Sequence, residues 1–397
     1  MPRKLYRGAA VLVAAVAATI AAGTQPPAGW NAVLGGYREA LKKSGIVGSS
    51  LMVVRDGRVV AHAEEGLAAL AGGPDQAAGQ PVTADTIYHW ASITKTFTGI
   101  AIMQLRDRGK LSLDDPVIKY LPELRQVHDP FGDASEITIR HLMSHSAGFR
   151  AATWPWGGDQ PWHPFEPTRW EQLVAMLPYT DVQFEPGTKY SYSNPGVVFL
   201  GRIIELLSGD DYEVYVTKNI LMPLGMHSTF FDRAPYYLLP HRSHSYVRDD
   251  GGLREARFDF DTGITVSNGG LNSPFGDMAN YLAFLSGSPG NDVVLTRSSI
   301  EEMWTPQVRA AEGEGVNGTD SSAALSFFVE KYGAVELVGH SGDQNGFISH
   351  LYLHRPSRTA WLLAMNTDTT RSRDGSRPSS RDVDVTVRQL ILEHMIR

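Results

Sequence analysis

Ser92 and Lys95 stand three residues apart in the run Ser92-Ile93-Thr94-Lys95. On a helix that spacing puts both side chains on one face. A serine at a helix start also lies near unpaired backbone N–H groups. If burial and neighbouring charge lower its pKa, the lysine can take the serine proton and leave an oxygen able to attack a carbonyl. The same four residues also read as a capping serine followed by an exposed lysine.

Two further runs carry groups suited to such chemistry. Tyr192-Ser193-Asn194 lies on a loop that leads into a helical pattern. A phenol can shuttle a proton and an amide can orient a carbonyl, although Asn194-Pro195-Gly196 is also ordinary turn chemistry. His340-Ser341-Gly342 follows a strand-like stretch. A strand edge there could hold an extended substrate, and the N–H of Asp343 could join that of Ser92 as an oxyanion hole. Trp154 and Trp156, with Trp162, Phe165 and Trp170, read either as an aromatic lid over an acyl pocket or as a packed loop.

The elements that must position these residues follow from pattern. Residues 49–66 read as two strands joined at Asp56-Gly57. A helix is expected from Ser92 to about Arg108, closed by Gly109. Shorter helices are expected at 139–144, 170–176, 197–207 and 274–285, the last opened by Ser273-Pro274 as cap and first residue. Strands return at 324–330, 334–338, 347–354 and 359–365, and residues 382–396 read as a terminal amphipathic helix. Strands at both ends with a helical stretch between them predict an α/β (α+β) fold. One antiparallel sheet is built from both chain ends and flanked by helices, with a mainly helical insert lobe. The α/β lobe takes about 33–110 and 300–397, the helical lobe about 111–299.

Taken together and in this order, Ser-x-x-Lys, Tyr-Ser-Asn and His-Ser-Gly resemble the class C β-lactamase and penicillin-binding-protein-like serine hydrolases. That group includes DD-carboxypeptidases, D-aminopeptidases and β-lactamase-like esterases. Ile137 to Phe149, Phe184-Glu185-Pro186-Gly187, Gly269 to Ser273, and Gly339 to Gly342 with Gly346-Phe347 extend the likeness over about residues 33–396. The resemblance implies a β-lactamase/transpeptidase-like fold and an acyl-enzyme formed on Ser92. Lys95 and Tyr192 would serve as general base and acid, and Asn194 would hold the acyl amide or the lysine. The backbone N–H groups of Ser92 and Asp343 would hold the oxyanion. His340, Ser341 and Gly342 would line the substrate strand, His340 standing where β-lactamases usually carry lysine. No metal or organic cofactor is expected.

Two departures bear on substrate. A neutral histidine attracts a carboxylate less than a lysine cation does, and Asp343 adds a negative charge next to the same strand. Both favour a carboxylesterase-like hydrolase of neutral esters or amides. The alternatives are a D-Ala-D-Ala carboxypeptidase or weak β-lactamase, and a non-catalytic receptor on the same fold.

Composition bounds the rest. A net charge of −7 leaves no footprint for nucleic acid, and the absence of cysteine removes disulfides and thiolate chemistry. Arg3, Lys4 and Arg7 before the apolar run 8–22 read as a secretory signal over residues 1–23, with an uncleaved anchor as the alternative. The expectation is therefore an exported, periplasmic or extracellular domain over 24–397 that acts on a small ester, amide or peptide. His141 and His145 have helical spacing but no glutamate follows the first, so a zinc site is not expected. Asp259 and Asp261 suggest an exposed strand or turn, and no Gly-x-Ser-x-Gly elbow is present.

Overall fold

The computed structural model describes residues 26–72, 79–149, 167–256, 262–287, 292–310 and 320–396. The signal segment 1–23, Trp154, Trp156, Trp162, Phe165, Asp259 and Asp261 lie outside the described residues.

A nine-stranded antiparallel sheet is built from the two ends of the chain. Its strands are β1 (Gly48–Arg55), β2 (Arg58–Ala69), β3 (Gln80–Pro81), β4 (Val308–Arg309), β5 (Asp320–Ala323), β6 (Phe328–Tyr332), β7 (Val335–Gln344), β8 (Phe347–His354) and β9 (Thr359–Met365). They run in the order β3-β2-β1-β9-β8-β7-β6-β5-β4, so that β1 from one end pairs with β9 from the other, Leu51 opposite Leu363. Both outermost strands are only two residues long. The β1–β2 turn holds Asp56 and Gly57 at positive φ, the geometry a two-residue hairpin requires. Asn345-Gly346 repeats it between β7 and β8.

The sheet is covered on both faces, as the period of two along its strands shows. Leu51 and Val53 of β1 face a layer formed by α1 (Trp30–Ser44) and, from the opposite terminus, the helix Ser380–His394. Met52 and Val54 face a larger core containing α2 (Thr94–Asp107), α3 (Asn194–Ser208) and α4 (Phe275–Leu285). The C-terminal helix is α5 (Ser380–His394). A short strand Leu271–Pro274 pairs with Ile87–His89 on one side and Phe230–Phe231 on the other, tying the segment before α2 to the middle of the chain.

Three local expectations differ from the structure. The strand expected over 324–330 is broken: β5 ends at Ala323, and Ser326 turns with φ 62°, its N–H donating to the Met143 carbonyl at 2.7 Å. Tertiary contact with the end of the helix Ile139–Met143 overrides the strand pattern there. Ser273 does not cap α4; its hydroxyl meets Thr229 Oγ1 at 2.7 Å and Pro274 occupies the cap position. Asn194-Pro195-Gly196 is the first turn of a helix, and Ser193 caps it by accepting the Gly196 N–H at 3.1 Å.

Candidate active site

Ser92 sits in a 3-10 turn, Ala91–Ile93, that opens directly into α2. The residue before it, Ala91, holds φ 47°, a left-handed conformation that costs an alanine about 1–2 kcal/mol. Surrounding contacts impose it. Trp90 N–H donates to the Leu271 carbonyl at 2.9 Å, its indole N–H to the Ser273 carbonyl at 2.9 Å, and its own carbonyl accepts from Ser349 Oγ at 3.0 Å. The turn is thereby clamped between the short strand Leu271–Pro274 and the sheet, with the Ser92 side chain half-buried at the junction.

Lys95, the second residue of α2 and one turn on from Ser92, is fully buried. Its Nζ donates to Ser92 Oγ at 2.9 Å and to the backbone carbonyl of Asn268 at 2.8 Å. The reading of Lys95 as an exposed surface residue is thus excluded. Tyr192 also hydrogen-bonds Ser92, and Lys95 Nζ lies 5.0 Å from the centre of its ring. Enclosure raises the Tyr192 pKa above the ordinary phenol value, against the opposing bond to Ser92. The phenol keeps its proton at neutral pH. Asn194, next but one in the chain, is the first residue of α3.

β7 passes the other side of the serine turn. β6 pairs with it only from Val335 to Gly339, whereas β8 pairs from Val338 to Gln344. Among the described residues, the edge from His340 to Gln344 therefore has a strand on one side only. Gly342 packs on the turn itself: a Cβ there would lie 2.3 Å from the Trp90 carbonyl oxygen and 3.1 Å from Ala91 Cβ. His340 Nδ1 donates to the Ser341 carbonyl at 2.6 Å, which makes the neutral Nε2 an acceptor. Burial, with Lys95 nearby, pushes the His340 pKa down to about 3. Its ring lies 6.4 Å from that of Tyr192 and 5.2 Å from that of Phe328.

Ser341 and Asp343 face away. The register sets Ser341 opposite His350 and Asp343 opposite Ile348, on the α5 side of the sheet. The Asp343 carboxylate pairs with Arg381 Nη2 at 3.3 Å. The negative charge expected beside the cleft is therefore spent on the other face, because strand alternation puts it there.

Several contributors were not among the expected residues. Gln344 ends β7 and its Oε1 meets His89 Nε2 at 3.0 Å, while His89 Nδ1 meets Asn272 Oδ1 at 3.2 Å. This chain braces the strand against the segment that supplies the Asn268 carbonyl. His145, buried, stacks on Tyr192 with ring centres 4.4 Å apart. His141 turns elsewhere and completes a capping box with Thr138, so the two histidines do not converge. Trp170, of the aromatic candidates, packs against Phe199 of α3. Among the described residues no group of three or more His, Asp or Glu is arranged to hold a metal ion.

Comparison with known proteins identifies the family and the fold. A family model described as beta-lactamase matches residues 34–384. The chain is 28% identical over 288 residues to Beta-lactamase-like protein 2 of Dictyostelium discoideum, covering 72% of this chain and 50% of that one. It is 29% identical over 204 residues to esterase EstB of Burkholderia gladioli, covering 49% and 50%. The chain thus spans about half the length of these two relatives. Among solved structures, the octameric penicillin-binding protein homologue from Pyrococcus abyssi superposes with TM-score 0.74 at 27% identity, over 92% of this chain and 77% of that one. With the matched span running from α1 into α5, this chain belongs to the beta-lactamase family and has its β-lactamase/transpeptidase-like fold.

Proposed function

We propose that the protein is a serine hydrolase that cleaves neutral esters or amides through an acyl-enzyme on Ser92. The observation that carries this reading is the convergence of Lys95 Nζ, at 2.9 Å, and Tyr192 on the single oxygen of Ser92. Lys95 takes the hydroxyl proton as Oγ adds to the substrate carbonyl. The N–H groups of Ser92 and Asp343 receive the developing oxyanion. Tyr192, protonated at rest, gives its proton to the departing alcohol or amine, and Lys95 restores it. Water then repeats the addition on the acyl-enzyme, so that one ester and one water become one acid and one alcohol.

The preference for neutral substrates rests on His340. Held uncharged, it contributes no cation from β7 to meet a substrate carboxylate. Comparing kcat/KM for a short-chain nitrophenyl ester with that for a penicillin tests the preference. Fast ester turnover with weak penicillin acylation is expected. A penicillin KM in the low micromolar range, or a long-lived penicillin adduct on Ser92, would point to a DD-peptidase instead. Export is proposed from residues 1–23 alone; N-terminal sequencing of protein recovered outside the cytoplasm tests it.

A further inference from the structure

We propose that His145 is a positioning residue that aims the Tyr192 hydroxyl at the leaving group. The idea rests on the proposed role of Tyr192 as the acid and adds the device that holds it.

His145 straddles Tyr192 in the chain. The residue before the tyrosine, Ser191, donates its N–H to the His145 carbonyl at 2.9 Å. The residue after it, Ser193, donates its N–H to His145 Nδ1 at 3.1 Å. Between these two bonds the imidazole lies on the phenol ring, centres 4.4 Å apart and planes at 29°. Backbone position and ring plane of Tyr192 are therefore fixed by one residue, its carbonyl holding Ser191 and its ring holding Ser193 and the phenol.

The histidine is itself held in place. It sits at φ 53°, 3% exposed, with Tyr190 edge-on at 6.2 Å and Phe328 parallel at 6.3 Å. A left-handed histidine persists where its surroundings dictate it, and such outliers gather at functional sites. Because Nδ1 accepts the Ser193 N–H, the ring proton is on Nε2. Protonating Nδ1 would break that bond and set a cation beside Lys95. Burial first, then the nearness of Lys95, holds the pKa of His145 well below the ordinary histidine value. A group kept neutral with its only basic atom occupied is a support and does not transfer the proton itself.

The role has a signature that general structural damage lacks. Nitrophenolate leaves without being protonated, whereas an alkoxide needs an acid. His145→Asn keeps an acceptor near the Nδ1 position and loses the stacked ring; His145→Phe keeps the ring and loses the acceptor. Each should lower kcat for an ethyl ester about tenfold, a fraction of the 10²–10⁴ that a positioned acid supplies, with KM within about twofold. Turnover of the matching nitrophenyl ester should fall far less. Placed on Tyr192→Phe, neither change should cost anything more, because there is no hydroxyl left to aim. Equal losses on both esters, or losses that add in full to that of Tyr192→Phe, would overturn the positioning role. If Tyr192→Phe alone leaves ethyl ester turnover intact, the assignment of Tyr192 as the acid fails, and the role of His145 with it. Two variants with opposite chemistry keep the test open should either fail to fold.

Discussion

Gly342 lies so close to Trp90 that a methyl group has no place between them: a Cβ would sit 2.3 Å from the Trp90 carbonyl oxygen and 2.5 Å from Ser349 Oγ. This contact sets β7 against the turn that carries Ser92. Gly342→Ala must push β7 away from that turn. Overpacking of this kind costs about 1–3 kcal/mol. Displacing an oxyanion donor typically costs about 10²–10³ in kcat. Urea unfolding and ester kinetics on the one variant should show both losses; full activity would mean that β7 supplies no group to the reaction.

Asp343 makes a contrasting case. Its carboxylate pairs with Arg381 on the far face of the sheet, where an exposed ion pair is worth about 0–1 kcal/mol. Asp343→Asn keeps the backbone N–H and should leave kcat/KM for a neutral ester within about twofold, the usual range of a surface change. A large loss would show that the charge, and not the strand, serves the site.

The buried histidines make stability depend on pH. Burial lowers His89 from its ordinary 6.5 to about 4, against bonds to Gln344 and Asn272, and lowers His340 to about 3. At neutral pH and above, both are uncharged whether the chain is folded or not. Below about pH 6.5 the unfolded chain takes up protons that the folded chain refuses, so stability falls as the pH drops. Each histidine contributes about 1.4 kcal/mol per pH unit over that window. Glu330 works the other way: burial raises its pKa to about 7, so its contribution is full in acid and lost as the pH rises through 7. The comparison must therefore be with a variant. His89→Gln should flatten the curve of unfolding free energy between pH 6 and 4.5 by about 1.4 kcal/mol per unit. Parallel curves would mean that His89 titrates normally.

Lys95→Met removes the amine that donates to Ser92 Oγ while keeping a long apolar side chain in the same buried space. It should lower kcat/KM by about 10²–10⁴, the value of a positioned base, with the melting temperature little changed. Activity within tenfold of wild type would shift the first proton transfer to another group.

Much of this arrangement was legible in the residues. Ser92 and Lys95 read as neighbours because one helical turn brings i and i+3 together, and Tyr192 and His340 stood near the starts or ends of elements that could point inward. What pattern could not carry is tertiary. His145 looked like half of an i, i+4 pair with His141. The helix stops at Met143 and His145 takes a left-handed turn, so it belongs to Tyr192, far along the chain. The same holds for Asn268, whose contribution is a carbonyl that any residue type could offer. Other features were open to a closer reading. Asn345-Gly346 is a strong hairpin signal, and Trp30, Val33, Tyr37 and Leu41 already carry the helical period of α1.

The central claim is that Ser92 becomes acylated. Intact-protein mass after exposure to a fluorophosphonate and to a short-chain nitrophenyl ester reads this directly, with Ser92→Ala alongside and nitrophenol release followed in parallel. The acyl-enzyme mechanism predicts one phosphonate adduct per wild-type chain, none on Ser92→Ala, and ester turnover that disappears with the same substitution. Equal labelling of the two proteins, or ester turnover that survives in Ser92→Ala, would contradict it.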